Sequence, residues 1–275
     1  MITYLKRFKP TKRIILIIGI AALLYIIVSV GFYIFQEKVI FQPKRLSTDY
    51  SFQFSQPYKE FFIEVQDGVK LNAVFFTPSS ESKGFILYFH GNAGNLQRWG
   101  NYAIDFTQLG YEVLMIDYRG YGKSSGIPNE EAFYNDSKIV LQWCKANIKF
   151  NKLIIYGRSL GSAVATNLAA TNTPDMLILE TPFDEIKGVI YPPIRPMLAL
   201  FPQRNFFSNK NNIPKIHCRK VIFHGTSDWI VPLSSALKLK PLLSEGDKFY
   251  IIKDAGHKNL RDFQDYHAKL AEVLK

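Results

Sequence analysis

The sequence predicts an α/β domain, with a mostly parallel sheet and helices on both faces, tethered by one N-terminal transmembrane helix. Three observations predict it. Residues 14–35 carry no charged side chain. From residue 61 onward a hairpin pattern gives way to short apolar runs alternating with amphipathic segments. The run Leu153-Ile154-Ile155-Tyr156 then ends in Gly157-Arg158-Ser159-Leu160-Gly161, two glycines set around a serine at the end of an expected strand. Of the 275 residues, 47% are hydrophobic and 21% charged, which suits a packed core.

The formal net charge of +11 raises the question of nucleic acid. The basic residues are scattered, with no arginine-rich block and no nucleic-acid motif, so no nucleic-acid partner is expected. Part of the excess sits at the N-terminus, and proximity to an anionic membrane surface suits the remainder. The two cysteines, Cys144 and Cys218, make neither a metal pattern nor a disulfide framework and read as free thiols.

At about 1.5 Å rise per residue, segment 14–35 spans roughly 33 Å, enough for a hydrocarbon core of about 30 Å. Lys6, Arg7, Lys9, Lys12 and Arg13 precede it, while the positive charges that follow are diluted by Glu37 and Asp49. This asymmetry predicts a cytoplasmic segment 1–13, an uncleaved signal-anchor at 14–35 and an extracytoplasmic remainder. A cleaved signal peptide is the rival; Ser29 and Gly31 make only a poor cleavage site, and the apolar run is long for one.

Segment 36–60 reads as a linker packing onto the domain that occupies 61–275. Strands at 61–65 and 71–76 flank the turn Asp67-Gly68. A strand at 84–89 ends at His90-Gly91, a helix is expected at 95–109 before Gly110, and a strand follows at 111–118. Glu130–Asn147 is amphipathic and helical, and the strand at 153–156 leads into a small-residue helix, Leu160–Ala170. A strand at 176–179, a strand at 221–224, a helix at 234–243, a strand at 249–252 and a helix from Asn259 complete the alternation. The rhythm breaks at about 184–218, a segment with Pro192, Pro193, Pro196, Pro202 and Pro214 beside Phe201, Phe206 and Phe207. Long apolar excursions from a compact sheet are commonly functional, and a short cap over the site is expected.

In open α/β sheets, chemistry gathers beyond the carboxyl ends of the strands. Ser159 stands there, in the strand–turn–helix context that makes G-x-S-x-G a nucleophile elbow. A serine hydroxyl needs a base, and His257 in "DAGHKN" follows the last strand. The base needs a carboxylate to fix its tautomer; Asp228 follows the preceding strand, with Asp184 and Glu185 as reserve acids. An oxyanion needs aimed donors, and the backbone N–H groups of Leu160 and of Asn92 in "HGNAGN" are expected to supply them, with Ala93 as the alternative to Asn92. His90, His217, His224 and His267 are left without this role.

Together "HGNAGN", "DYRGYGKSSG" at 117–126, "GRSLGSA", "HGTSDWIVP" and "AGH" resemble the α/β-hydrolase superfamily of serine hydrolases, and within it the membrane-anchored α/β-hydrolase-domain proteins. The resemblance covers about residues 60–275. It implies an α/β-hydrolase fold, a Ser159–His257–Asp228 triad and no metal or cofactor, with "DYRGYG" as a structural turn shaping the site. Some animal relatives are depalmitoylases or lysophospholipases. The expected substrate is an ester or thioester of an apolar, lipid-like acyl group. An aminopeptidase-like amide hydrolase is the alternative, disfavoured by the basic cap residues Arg195, Arg204 and Lys210. A silent binding protein on the same fold is the remaining one, and it would lack part of the triad. Oligomeric state is not legible.

Overall fold

In the computed structural model, which describes residues 11–189 and 204–275, eight strands form one sheet. They are β1 (Tyr58–Glu64), β2 (Lys70–Phe76), β3 (Phe85–Phe89), β4 (Glu112–Ile116), β5 (Leu153–Arg158), β6 (Met176–Glu180), β7 (Arg219–Gly225) and β8 (Lys248–Ile252). The spatial order is β8-β7-β6-β5-β3-β4-β2-β1. β1 pairs antiparallel with β2, and β2 antiparallel with β4. Every other pairing is parallel.

The central strands are buried on both faces, which is why they read as continuous apolar runs. Strand alternation divides them between two cores. Phe85, Leu87, Phe89, Leu153 and Ile155 join one face, where helices α4 (Glu130–Asn147) and α5 (Leu160–Ala170) pack. Ile86, Tyr88, Ile154 and Tyr156 join the other, under α2 (Leu96–Trp99), α3 (Ile104–Thr107) and α7 (Gln264–Val273). The Asn129 side chain caps α4 by accepting from Ala132 N, and Glu130 and Glu131 suit its positive end.

Three expected helices are broken, two of them at an identifiable residue. The expected helix 95–109 divides at Gly100, a weak helix former whose missing side chain makes room for the Phe54 ring. The expected helix 234–243 shortens to α6 (Leu233–Leu237) and a separate 3-10 turn, Lys240–Leu242, because Pro241 lacks the N–H a helix needs. The last helix starts at Gln264, after a 3-10 turn at Leu260–Asp262.

At the N-terminus, α1 runs over Lys12–Ile40 with its apolar side chains exposed. Among the described residues, one stretch is long and apolar enough to cross a membrane, Lys12–Lys38, with mean hydropathy 2.9. The segment expected as a linker packing onto the domain begins inside α1 and lies against the body. α1 continues through its first five positions, Phe41 buries its ring against Phe133 and Phe207, and Phe52 is buried under the sheet. Gln42 and Pro43 pair in parallel with Ala93 and Gly94.

The middle of the expected cap at 184–218, residues 190–203, lies outside the described residues; of the described part, Ile186 and Val189 line the cavity that holds Ser159. The end beyond residue 203 reaches the core. Phe207 is fully buried, and Asn209, also fully buried, donates to Ser162 Oγ and the Phe183 carbonyl and accepts from Thr166. Phe207 and Asn209 therefore tie this end of the segment to the core beside α4 and α5, while Phe206 is exposed.

Candidate active site

The loop after β5 places Ser159 at φ 51°, ψ −117°, a conformation L-residues rarely adopt. The surrounding close packing enforces it. A side chain on Gly161 would lie 2.2 Å from the Phe89 carbonyl oxygen, and one on Gly157 would lie 2.5 Å from the Gly161 carbonyl oxygen. Both glycines are therefore required for α5 to sit down on the sheet, and the serine between them is thrust above its edge. Ser159 N donates to the Glu180 carbonyl at 2.9 Å, tying the turn to β6.

His257 Nε2 lies 2.9 Å from Ser159 Oγ, and its Nδ1 lies 2.8 Å from Asp228 Oδ2. Asp228 is buried, and its other oxygen accepts from Ile230 N at 3.0 Å and Val231 N at 2.8 Å. The carboxylate is thus held at both oxygens, and Nδ1 of His257 is the protonated nitrogen that donates to it. This leaves Nε2 as an acceptor for the serine proton. Gly225 permits this meeting of loops, since a side chain there would lie 2.1 Å from the Ala255 carbonyl oxygen. The Asn259 side chain accepts from Gly256 N and fixes the turn that carries His257.

The reserve acids are engaged elsewhere. Asp184 accepts from Ser235 and Lys238, contacts that draw its carboxyl below the usual range against the opposing effect of burial. Glu185 pairs with Lys187. His224 is fully buried, donates through Nε2 to the Val231 carbonyl at 2.9 Å and stands behind Asp228 at 3.5 Å. Burial holds its imidazole below the ordinary value, in the neutral form.

"HGNAGN" folds over the serine. A side chain on Gly91 would lie 3.6 Å from Ser159 Cβ. Among the described residues, no hydrogen bond outside helix and strand ladders engages the backbone N–H of Leu160, Asn92 or Ala93. The Asn92 side chain is a brace. Its Nδ2 donates to the Ile40 carbonyl at 2.6 Å, and its Oδ1 accepts from Tyr121 Oη at 2.7 Å and Gln42 N at 3.2 Å. "DYRGYG" buttresses this loop from below. Tyr118 Oη donates to the His90 carbonyl, Asp117 Oδ2 accepts from Leu96 N, and Asp117 Oδ1 faces His90 Nε2 at 3.2 Å. Gly122, at φ +48°, has room for nothing more than hydrogen, because a Cβ would overlap Asp117 Oδ2.

A cavity of about 460 Å³ collects Ser159, Leu160, His257, Gly91, Asn92 and Ala93. Its apolar wall includes Phe183, Ile186, Val189 and Ile230, with Ile40 from the end of α1. No Asp or Glu lines it among the described residues, whereas Arg98, Arg158 and Lys258 do.

Two features escaped the sequence reading. Arg158, the first variable position of the elbow, is 1% exposed; its Nη2 donates to the His257 carbonyl at 2.9 Å. Its Nη1 faces Glu180 Oε1 at 3.1 Å without hydrogen-bond alignment, and Glu180 Oε2 accepts from Tyr156 Oη. A charge at the end of two adjacent apolar runs, "LIIYGR" and "MLILE", was the available signal for this pair. The other feature is Trp229, at the cavity and 79% exposed.

Comparison with known proteins identifies the family. A hydrolase family model described as serine aminopeptidase, S33, matches residues 80–210. Protein bem46 of Schizosaccharomyces pombe is 31% identical over 274 residues, covering 93% of this chain and 91% of the relative. An uncharacterized protein of Mycobacterium tuberculosis is 30% identical over 207 residues, 72% of each chain. The lysophosphatidylserine lipase ABHD12 of Macaca fascicularis is 34% identical over 192 residues, which is 62% of this chain and 48% of that protein. Among solved structures, an esterase of Pyrococcus furiosus superposes with a TM-score of 0.66 at 18% identity, over 86% of this chain and 96% of that one. With the sheet order, the elbow and the relatives in agreement, the chain belongs to the α/β-hydrolase superfamily of serine hydrolases.

Proposed function

We propose that this hydrolase is anchored in a membrane by α1 and cleaves an ester or thioester of an apolar, lipid-like acyl group through an acyl-enzyme. The observation that carries the reading is the hydrogen-bonded line Ser159–His257–Asp228 opening into a cavity with an apolar wall. His257 takes the Ser159 proton as Oγ attacks the acyl carbon, and Asp228 stabilises the imidazolium. The oxyanion is received by the Leu160 and Asn92 N–H groups. The alcohol or thiol leaves with the proton from His257, and a water, deprotonated by the same imidazole, releases the acid and restores Ser159. The positive-inside asymmetry puts the N-terminus in the cytoplasm and the catalytic body, 61–275, outside it.

The family description favours an aminopeptidase as the second reading. The absence of carboxylates among the described cavity residues argues against it, since a substrate ammonium would meet Arg98, Arg158 and Lys258 instead.

The test is covalent labelling by a fluorophosphonate in detergent, followed by turnover of acyl esters, acyl thioesters and aminoacyl-arylamides. Wild type should label and Ser159→Ala should not, and Asp228→Asn should lower turnover by roughly 10⁴-fold through the wrong imidazole tautomer. Folded wild type that never labels would bring the binding-protein reading forward, and turnover confined to aminoacyl-arylamides would establish the peptidase.

A further inference from the structure

The anchor of this chain is built into the wall of its own site. Ile40, the last residue of α1, and Gln42 just beyond it line the cavity that holds Ser159. Three contacts fix α1 to the body. Arg204 donates through Nη2 to the Tyr33 carbonyl at 2.5 Å and to Glu37 Oε2 at 3.0 Å, and its backbone N donates to Gln36 Oε1 at 2.8 Å. The Asn92 side chain grips the Ile40 carbonyl. Phe41 is buried between Phe133 and Phe207. No flexible stretch separates helix from site.

That rigidity fixes a depth. The apolar part of α1 ends at Phe35. Ile40 follows five residues later, roughly 8 Å along the helix axis. The polar layer of a bilayer is about 5–8 Å thick on each side of the hydrocarbon. On the reading that α1 spans a membrane, the cavity wall at Ile40 stands at the outer edge of the headgroup layer. The exposed rim agrees with such a neighbour. Trp229 is 79% exposed, and Arg98 and Lys258, which line the same cavity, are exposed as well. Interfacial tryptophan and basic side chains facing lipid phosphates are the chemistry of that layer.

We infer that the rim formed by Trp229, Arg98 and Lys258 docks on the headgroup layer of the leaflet that holds α1. The site then receives a membrane-resident acyl ester sideways, its chain still in the hydrocarbon and its ester at Ser159. This rests on the membrane reading above. It adds where the substrate comes from: the protein's own leaflet, and not the water phase.

The full chain in phosphatidylcholine vesicles tests it by fluorescence. The Trp229 signal is the difference between wild type and Trp229→Phe. A nitroxide on the lipid headgroup should quench that difference, and a nitroxide at the end of the acyl chain should quench it less. A chain that fails to float with vesicles overturns the anchor reading and this inference with it. A chain that floats but whose Trp229 escapes the headgroup nitroxide overturns this inference alone. A helical insertion of about seven residues after Gly31 lifts the body by roughly 10 Å while leaving every contact from Tyr33 onward intact. It should lower turnover of a long-chain ester held in the bilayer about tenfold or more by separating ester from Ser159, and leave a water-soluble short-chain ester unaffected. Unchanged turnover of both esters overturns the inference; loss of both is a folding defect, and the quenching result then decides.

Discussion

Arg158→Met removes a cation that is 1% exposed from beside a carboxylate that is 2% exposed. Nothing solvates Glu180 in its place: Tyr156 Oη still donates to one oxygen, and the other faces the vacated space. Breaking a buried pair from one side destabilises by about 3–5 kcal/mol. For a domain of this size each kcal/mol shifts the melting temperature by roughly 2–4 °C, so a fall of roughly 6–20 °C is expected. Arg158→Met with Glu180→Gln removes both charges, and should recover most of that loss. Activity should separate from stability. The bond from Arg158 Nη2 to the His257 carbonyl is missing in both variants, so fluorophosphonate labelling of Ser159 should be slow in both. Circular dichroism melts in detergent and labelling rates read the two effects. A single variant melting within about 3 °C of wild type would refute the reasoning on stability. A double variant that labels at the wild-type rate would refute the reasoning on position.

Three further outcomes follow from the same geometry. Gly161→Ala should destabilise by roughly 4 kcal/mol or more, because the added carbon meets the carbonyl of a central strand, whereas Gly68→Ala, at φ +65° in open space, should lose only about 1–2 kcal/mol; denaturant melts compare them. His224 is held neutral by burial, so below about pH 6.5 the unfolded chain binds a proton that the folded chain refuses, and stability should fall as pH drops through that value and continue falling towards the depressed folded pKa. His224→Gln should flatten that part of the stability–pH curve. Burial pushes the thiol of Cys144 up to about 12 and that of Cys218 up to about 11, so iodoacetamide near neutral pH should leave both unmodified until the chain is denatured, which mass spectrometry reads directly.

The candidate constellation was legible because it is written in local motifs whose placement a strand–helix alternation supplies. Ser159, Asp228 and His257 each follow a parallel strand, and parallel strands deliver such loops to one edge of the sheet. α4 and α5 were legible to the residue, α4 because Asn129 caps it and α5 because a run of small and apolar residues follows the Ser159 turn up to Thr171. The broken helices were missed because periodicity reads the face a segment presents, and Gly100 and Pro241 interrupt the backbone without altering that face. Arg158 and Glu180 were missed for a different reason. Each is a single charge at the end of an apolar run, and only the register of β5 beside β6 sets them opposite one another.

The boundary between the apolar helix and the hydrolase body is where a reading by composition departs furthest from the fold. Polarity rises after Phe35, and a composition scan places a linker there. The backbone does not change at that point: α1 continues to Ile40 because nothing in Gln36-Glu37-Lys38 disfavours a helix, and its polar groups find partners in the body. Gln36 is fully buried and accepts from Arg204, a residue far along the chain. Such partners are invisible locally, since a buried glutamine and a solvated one are the same letter. The consequence is functional. Asn92, expected to supply an oxyanion donor through its backbone, spends its side chain on the Ile40 carbonyl, Gln42 and Tyr121. The loop over Ser159 is thereby braced directly by the end of the apolar helix, one residue away from Gly91, which packs against Ser159.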